Sequence, residues 1–129
     1  MSIDSPKKIL VFDDEQIVGD IACQMLEYFK CQSLHVTNAE QAIDAYQIEF
    51  TKGQPFDAVI MDLNVPGGRG GKEVVRDVLA IDPNAKVFVS SGDSSDAAMV
   101  KPEDFGFVGV LCKPFDLSTI ESFVNQILE

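Results

Sequence analysis

Three carboxylates, a hydroxyl and an ammonium group stand just after short apolar runs of this chain. They belong to Asp13, Asp14, Asp62, Ser90 and Lys113. Three carboxylates in one place cannot all ionise comfortably unless a cation lies among them. Oxygen ligands favour a hard cation, Mg²⁺ above all, which keeps several waters and works with one or two carboxylates and a phosphate. A Lys and a hydroxyl opposite that metal would supply charge neutralisation and a hydrogen bond to a transferring phosphoryl group.

Each of these residues also has an ordinary structural interpretation. Asp13 and Asp14 could cap a following helix. Asp62 could belong to a turn before Pro66 and Gly67. The chemical interpretation therefore depends on whether the fold brings all of these side chains to one place.

Two kinds of apolar pattern alternate along the chain and predict the elements that position these residues. Continuous apolar runs indicate strands buried on both faces, and apolar residues at helical spacing lie between them. The segment 94–105 predicts a poorer helix, because Pro102 and Gly106 interrupt it. Strands are predicted at 9–12, 34–36, 58–61, 87–89 and 107–111, and helical patterns at 17–29, 39–46, 74–79 and 117–128.

This alternation predicts an α/β fold of (βα)5 type. Its sheet would be doubly wound, parallel and five-stranded, with helices on both faces, since right-handed crossovers place helices there. Asn38 and Asp116 stand at predicted helix starts and are expected to cap them. Ligands of open α/β sheets bind beyond the carboxyl ends of the strands, where the five side chains are expected to converge.

The composition bounds the class of protein. The chain has 129 residues, 46% hydrophobic, with a formal charge of −11. This predicts one globular domain and disfavours direct binding to nucleic acid or to a membrane. The apolar run near the start of the chain is too short for the apolar region of a secretory signal peptide. The spacing of the three cysteines fits no metal-binding pattern. We therefore expect a cytoplasmic protein with reduced thiols.

Four segments together resemble the receiver domain of two-component response regulators, in order and with the family's spacing. They read ILVFDDE, VIMDLNVPGG, VFVSSG and VLCKPF. The resemblance covers essentially the whole chain and is closest to receivers of hybrid sensor histidine kinases. It implies a flavodoxin-like strand order 2-1-3-4-5 and a single receiver domain over residues 1–129, with no effector domain.

The resemblance also implies a phosphoacceptor site. Asp62 would take a phosphoryl group from a phosphohistidine of a sensor histidine kinase or a histidine phosphotransfer domain. Asp14 and Asp62 would bind Mg²⁺ directly, together with the backbone carbonyl of Asn64, and Asp13 would act through water. Such a domain is not an enzyme but assists its own phosphorylation and dephosphorylation. It would be part of a histidine kinase only as a fragment of a hybrid kinase.

Further roles follow from the same resemblance. Lys113 would contact the phosphoryl oxygens, and Ser90 would hydrogen-bond one of them after phosphorylation. The bond between Lys113 and Pro114 is expected to be cis. Phosphorylation would switch the surface of the fourth helix and fifth strand. That surface, with the fifth helix, would bind a second copy of the chain or a downstream protein.

Two positions bear on switching and on phosphoryl lifetime. Val110 stands where the family often has an aromatic switch residue, three positions before Lys113. Because valine has no ring to swing, we expect reorganisation of segment 94–105 to carry the output. Gly92, two residues after Ser90, has no side chain to block an attacking water, so substitutions there are expected to change the hydrolysis rate.

Other classes of protein fit less well. A Mg²⁺-dependent phosphatase with an aspartyl-phosphate intermediate is the main alternative, with its nucleophile expected at Asp13. A pseudo-receiver that only binds partners is a third class. The glycine-rich segment 66–73 lacks the spacing of a phosphate-binding loop. His35, the only histidine, lies on a predicted strand and is interpreted as structural.

Overall fold

In this computed structural model, residues 6–128 are described, so residues 1–5 and 129 of the predicted domain lie outside the described part. Strands and helices alternate along that part. They are β1 (Lys8–Phe12), α1 (Gln16–Tyr28), β2 (Gln32–Val36), α2 (Ala39–Thr51), β3 (Ala58–Asp62), α3 (Gly71–Ile81), β4 (Val87–Ser91), α4 (Ala97–Val100), a 3₁₀ helix (Pro102–Phe105), β5 (Gly109–Cys112) and α5 (Leu117–Leu128).

The strands form one parallel sheet in the order β2-β1-β3-β4-β5. This is the flavodoxin-like order, and both the predicted fold class and the predicted order are confirmed. The register places Asp62 beside Ser90 and Phe12 beside Met61. The carboxyl ends of β1, β3 and β4 therefore meet at one edge of the sheet.

Two apolar cores cover the sheet, one on each face. Alternate residues of the same strand belong to different cores, because successive side chains of a strand point to opposite faces. On β1, Leu10 and Phe12 pack with α2 and α3, whereas Ile9 and Val11 pack with α1 and α5. Burial on both faces explains why the central strands read as continuous apolar runs.

The predicted N-terminal caps are observed at two helices. The Asn38 side chain accepts a hydrogen bond from the Gln41 N–H at 2.8 Å at the start of α2. The Asp116 carboxylate accepts one from the Thr119 N–H at 2.8 Å before α5. Both predicted caps are present, and each satisfies a backbone donor that the first helical turn leaves free.

Two details differ from the predicted pattern. Ile17 and Ile21 fit the apolar period of α1 but are exposed, because its buried stripe runs through Gly19, Ala22 and Leu26. The predicted fifth strand begins later than its apolar run, since β5 is Gly109–Cys112. Of the two apolar residues before it, Phe107 is buried in the core, whereas Val108 is exposed.

The segment between β4 and β5 is the irregular part of the fold. The α4 helix has only four residues, capped by the Asp96 carboxylate, and the 3₁₀ helix that follows starts at Pro102. Gly106 then takes a left-handed conformation with φ 97°. The expected poor helix is observed there, and the Lys113–Pro114 bond is cis as expected. No helix within residues 6–128 has the length and apolar character needed to cross a bilayer.

Candidate functional site

The site lies at the carboxyl edge of the sheet and continues one row of side chains. Four polar residues each follow, two positions later, a core residue that faces α1 and α5. Because side chains alternate along a strand, each polar group emerges on the same face as its apolar predecessor. The pairs are Val11 and Asp13, Ile60 and Asp62, Phe88 and Ser90, and Leu111 and Lys113.

Three carboxylates come together there, as the sequence predicts. One oxygen from each of Asp13, Asp14 and Asp62 lies within 4.8 Å of the others. Asp13 and Asp62 are almost fully buried, with 1% and 3% of their surface exposed, and Asp14 is half-buried. Such a cluster repels itself strongly unless positive charge is near.

Lys113 supplies one positive charge to the cluster. Its Nζ lies 2.7 Å from Asp13 Oδ2 and donates a hydrogen bond to Asp62 Oδ1 at 3.2 Å. Burial of the ammonium lowers the pKa of Lys113, but the hydrogen bonds and charges of Asp13 and Asp62 outweigh it and raise that pKa. Lys113 therefore stays cationic at neutral pH.

The carboxyl group of Asp62 has a raised pKa. Burial, followed by repulsion from the Asp13 carboxylate, raises the pKa of Asp62 to about 7, against the opposing pull of Lys113 and of the Asn64 N–H. Asp62 Oδ1 accepts hydrogen bonds from both Lys113 and the Asn64 N–H, the latter at 3.3 Å. Within residues 6–128, no hydrogen bond is made to the other oxygen, Oδ2, so it is the one available to a ligand.

The two serines at the end of β4 have different surroundings. Ser91 Oγ accepts hydrogen bonds from the Asp93 N–H at 3.0 Å and from the Asn64 side-chain amide at 3.4 Å. Ser90 Oγ is buried and has no hydrogen-bond partner among the described residues. Since a buried hydroxyl without a partner costs free energy, Ser90 is the residue poised to bond an added group. The bridge from Ser91 to Asn64 has no signal in the sequence.

These residues fit a divalent cation. Three carboxylates and one ammonium leave two negative charges when all are ionised, and the donors are oxygens, as Mg²⁺ prefers. Within residues 6–128, the only group paired with the buried Asp13 Oδ2 is the Lys113 ammonium, at 2.7 Å. The donor set and the charge together suit a hard ion with a charge of two.

A cavity of about 470 Å³ opens beside Lys113. Apolar side chains of α1 and of the loop after β5, including Val18, Ile21 and Phe115, line one side of it. Gly92, in the loop after β4, lines another part, and a side chain added there would meet open space. The approach to the site is thus open and partly apolar.

Comparisons with known proteins agree with this fold. Residues 9–125 match the family model described as Response regulator receiver domain. The chemotaxis protein CheY of Thermotoga maritima is 29% identical to this chain over 122 residues. That similarity covers 94% of this chain and 97% of the CheY protein.

Two solved structures have the same fold. A CheY-like response regulator receiver domain from Methylobacillus flagellatus has a TM-score of 0.79 and 26% identity, covering 95% of this chain and 99% of that one. The receiver domain of a sensor histidine kinase from Pseudomonas aeruginosa PAO1 has a TM-score of 0.81 and 18% identity, covering 97% and 100%. That structure holds a magnesium ion coordinated in its active site cleft.

Proposed function

The chain belongs to the response regulator receiver domain family, whose members are signalling domains of two-component systems, and we propose that it is a Mg²⁺-dependent phosphoacceptor. Residues 1–129 would act as one receiver domain. Asp62 would accept a phosphoryl group from a phosphohistidine on a sensor histidine kinase or a histidine phosphotransfer domain. The observation that carries this proposal is a buried carboxylate, Asp62, with one oxygen free beside Lys113, Asp13 and Asp14.

The transfer uses the free oxygen of Asp62. Oδ2 attacks the phosphorus, the P–N bond of the phosphohistidine breaks, and its electron pair stays on the imidazole nitrogen. The product is a mixed anhydride of the Asp62 carboxyl group and phosphate. Lys113 and the Asn64 N–H hold Oδ1, which fixes the direction of Oδ2 and satisfies the requirement for a positioned nucleophile.

The acidic cluster would hold the cation. Asp14 and Asp62 are the direct carboxylate ligands in this proposal, the Asn64 carbonyl adds a neutral oxygen, and Asp13 acts through water. When bound, Mg²⁺ supplies positive charge that offsets the repulsion between the Asp62 carboxylate and the phosphoryl oxygens. That charge is needed because Asp62 by itself stays partly protonated near neutral pH.

Lys113 and Ser90 complete the site. The Lys113 ammonium already lies 3.2 Å from Asp62 Oδ1, so a short movement brings it to the oxygens of a phosphoryl group on the same carboxyl. Ser90 lies beside Asp62 in the sheet register, with a hydroxyl that lacks a partner among the described residues. It gains a hydrogen bond when the phosphoryl group arrives.

The contacts favour Asp62 over Asp13 as the nucleophile, and so favour a receiver over a phosphatase. Asp13 Oδ1 accepts the Glu15 N–H at 2.9 Å, and its Oδ2 faces Lys113 at 2.7 Å. Both oxygens of Asp13 are therefore engaged. The complete set of acidic, basic and hydroxyl groups also favours a working receiver over a domain that only binds partners.

A small acyl phosphate tests this function. With acetyl phosphate and Mg²⁺, the intact mass is expected to rise by one phosphoryl group, and peptide mapping should locate it on Asp62. Asp62→Asn should take up none, whereas the exposed-site control Asp44→Asn should behave as wild type. Uptake on Asp13, or equal uptake by Asp62→Asn, would contradict the proposal.

The output surface is proposed at α4, β5 and α5. Val100 and Val108 there are 63% and 57% exposed, so this face presents apolar surface to a second copy or to a downstream protein. Lys72, at the start of α3, reaches this region: its Nζ lies 3.3 Å from Asp96 Oδ1 and 5.2 Å from the centre of the Phe105 ring. These contacts link the connection after Asp62 to the irregular segment.

Amide hydrogen exchange tests the switch. With fluoroberyllate as a phosphoryl analogue, protection is expected to change in residues 94–105, because the short α4 and the 3₁₀ helix have few interactions to break. The α2 helix serves as the internal reference. Equal protection of the segment with and without the analogue would remove it as the carrier of the output.

A further inference from the structure

The only histidine of the chain contacts the backbone of the acidic site. His35 lies on β2, next to β1 in the sheet, and its side chain is 8% exposed. Its Nε2 lies 2.8 Å from the carbonyl oxygen of Asp13. On the other side of the ring, Nδ1 lies 3.4 Å from the amide nitrogen of Gln16. The ring thus bridges the first turn of α1 and the backbone of an acidic residue.

The Asp13 carbonyl defines the role of one ring nitrogen of His35. The Asp13 carbonyl can only accept, so Nε2 donates to it. The Gln16 side-chain nitrogen donates to Nδ1, and also to Asp20 Oδ1 at 2.9 Å, which is consistent with its amide orientation. The Nε2–H of His35 is therefore directed at the Asp13 backbone, while the Asp20 carboxylate lies 4.0 Å from Nδ1.

A glycine in α1 provides the space for this ring. A Cβ on Gly19 would lie 2.0 Å from His35 Nε2 and 2.4 Å from its Cδ2. Alanine is the better helix former inside a helix, so glycine at this position is unfavourable for α1 alone. Its presence is explained by the close packing of the ring against the helix backbone.

Two neighbouring residues of β2 hold the backbone of Asp13 at both of its polar groups. The Asp13 N–H donates to the Val36 carbonyl at 3.1 Å, and the Asp13 carbonyl accepts from His35. Because the peptide unit is planar, fixing the Asp13 carbonyl also fixes the Asp14 nitrogen. The imidazole of His35 therefore contacts the peptide unit that joins the two neighbouring acidic residues.

We propose that His35, seated against Gly19, is a positioning residue for the divalent-cation site. It touches neither the cation nor the phosphoryl group, and acts through the peptide between Asp13 and Asp14. The inference rests on the proposed function for the identity of the cation as Mg²⁺. Partners that orient the ligands of a metal typically contribute a factor of about 10 to 100 in affinity.

The first test measures Mg²⁺ affinity by isothermal titration calorimetry. His35→Leu keeps apolar bulk but removes the donor, and should weaken Mg²⁺ binding about tenfold. His35→Gln places an amide N–H near the position of Nε2 and should restore the affinity to within about twofold of wild type. Leu34→Ala, at the exposed neighbouring position of β2, is the control and should bind as wild type.

The second test approaches the same ring from the helix. Gly19→Ala should displace the imidazole and weaken Mg²⁺ binding as much as His35→Leu does. In a His35→Ala background, the added methyl group meets vacated space, so Gly19→Ala should weaken binding no further. Gln24→Ala, an exposed position of α1, controls for a change in the helix itself.

Metal-free measurements separate positioning from loss of the fold. In ¹H–¹⁵N spectra without Mg²⁺, the Asp14 amide should shift in His35→Leu and return in His35→Gln, while thermal unfolding stays cooperative in both. Wild-type affinity in His35→Leu, or failure of His35→Gln to restore it, would overturn the positioning role alone. Absence of Mg²⁺ binding in the wild type would overturn both this inference and the proposed function.

Discussion

Asp13 and Asp62 are both buried carboxylates beside the Lys113 ammonium, yet their hydrogen bonds involve different sets of oxygens. Asp13 accepts a backbone N–H on one oxygen and faces Lys113 with the other. Both hydrogen bonds that the described residues make to the Asp62 carboxylate are on Oδ1. At the scale of single residues, the neighbours of each carboxylate therefore decide which of its oxygens is available, and our proposal that Asp62 is the reacting carboxylate rests on this difference.

The raised pKa of Asp62 gives a pH-dependent stability in the absence of divalent cations. The folded state keeps the Asp62 proton up to about pH 7, whereas the unfolded chain releases it near pH 4. Between these values the contribution of Asp62 to the free energy of unfolding falls as the pH rises. At pH 8 the folded protein carries the full cost of the buried charge.

Asp62→Asn removes that charge, so it is expected to be more stable than wild type at pH 8, by at most a few kcal/mol, with a smaller difference at pH 5. Urea unfolding in the presence of a chelator measures the stability difference between Asp62→Asn and wild type at each pH. Asp44→Asn, an exposed carboxylate on α2, should show no such pH-dependent gain. A constant difference between Asp62→Asn and wild type at the two pH values would contradict the raised pKa.

Gly92 controls access to the acyl phosphate in our interpretation. A side chain there would meet open space and project beside the cavity of about 470 Å³ next to Lys113. Gly92→Arg should therefore obstruct the attacking water and slow hydrolysis about tenfold, which corresponds to ~1.4 kcal/mol in the barrier. Loss of the phosphorylated mass with time gives the rate. Ser94→Arg, an exposed position of the same loop, is the matched control, and equal rates in the two variants would reject the role of Gly92.

At the scale of elements, the glycine-rich connection between β3 and α3 has a packing function. A Cβ on Gly70 would lie 2.5 Å from the Leu63 carbonyl oxygen, and one on Gly71 would lie 2.9 Å from the Asp62 carbonyl oxygen. The start of α3 thus packs directly on the backbone of Asp62 and Leu63. The sequence excludes a phosphate-binding loop here, and the structure explains the glycines by this close approach.

Gly70→Ala is expected to destabilise the fold by about 1–3 kcal/mol, because backbone atoms must move to admit the methyl group. Gly68→Ala is the control in the same connection, since its Cβ would make only an ordinary 3.5 Å contact with Val65. Chemical denaturation compares the two. Equal stability of Gly70→Ala and Gly68→Ala would show that the connection adapts without cost.

At the scale of the whole molecule, the formal charge of −11 is partly concentrated at one edge of the sheet. Three carboxylates there face one ammonium within the described part of the chain. A ligand that binds only the folded state raises its stability in proportion to the logarithm of its concentration. The folded domain should therefore be more stable with Mg²⁺ than with a chelator.

At a Mg²⁺ concentration one hundred times the dissociation constant, the expected gain is about 2.7 kcal/mol. Urea unfolding of wild type, with and without Mg²⁺, measures this gain. Asp14→Asn should lose most of it, whereas Asp44→Asn should keep it. The same gain in Asp14→Asn and wild type would place the cation elsewhere on this acidic surface.

Much of the fold and of the site could be predicted because the signals are local. The apolar runs 9–12, 58–61 and 87–89 all lie within observed strands, and Asn38 caps its helix as expected. The apolar period of α1 was less informative: Ile17 fits it but is exposed. Helical spacing identifies a stripe, but the elements packed against the helix decide which side of that stripe is buried.

The sequence by itself determined the order of strands and helices, and which residue types stand at the strand ends. A strand's side-chain alternation and the position of its carboxyl end are properties of the local chain. Only the tertiary structure decided that Lys113 pairs with Asp13 as well as Asp62, that Ser90 rather than Ser91 is left without a partner among the described residues, and that His35 holds the Asp13 backbone. These contacts join residues far apart in the chain, and their distances depend on how the strands and helices pack together.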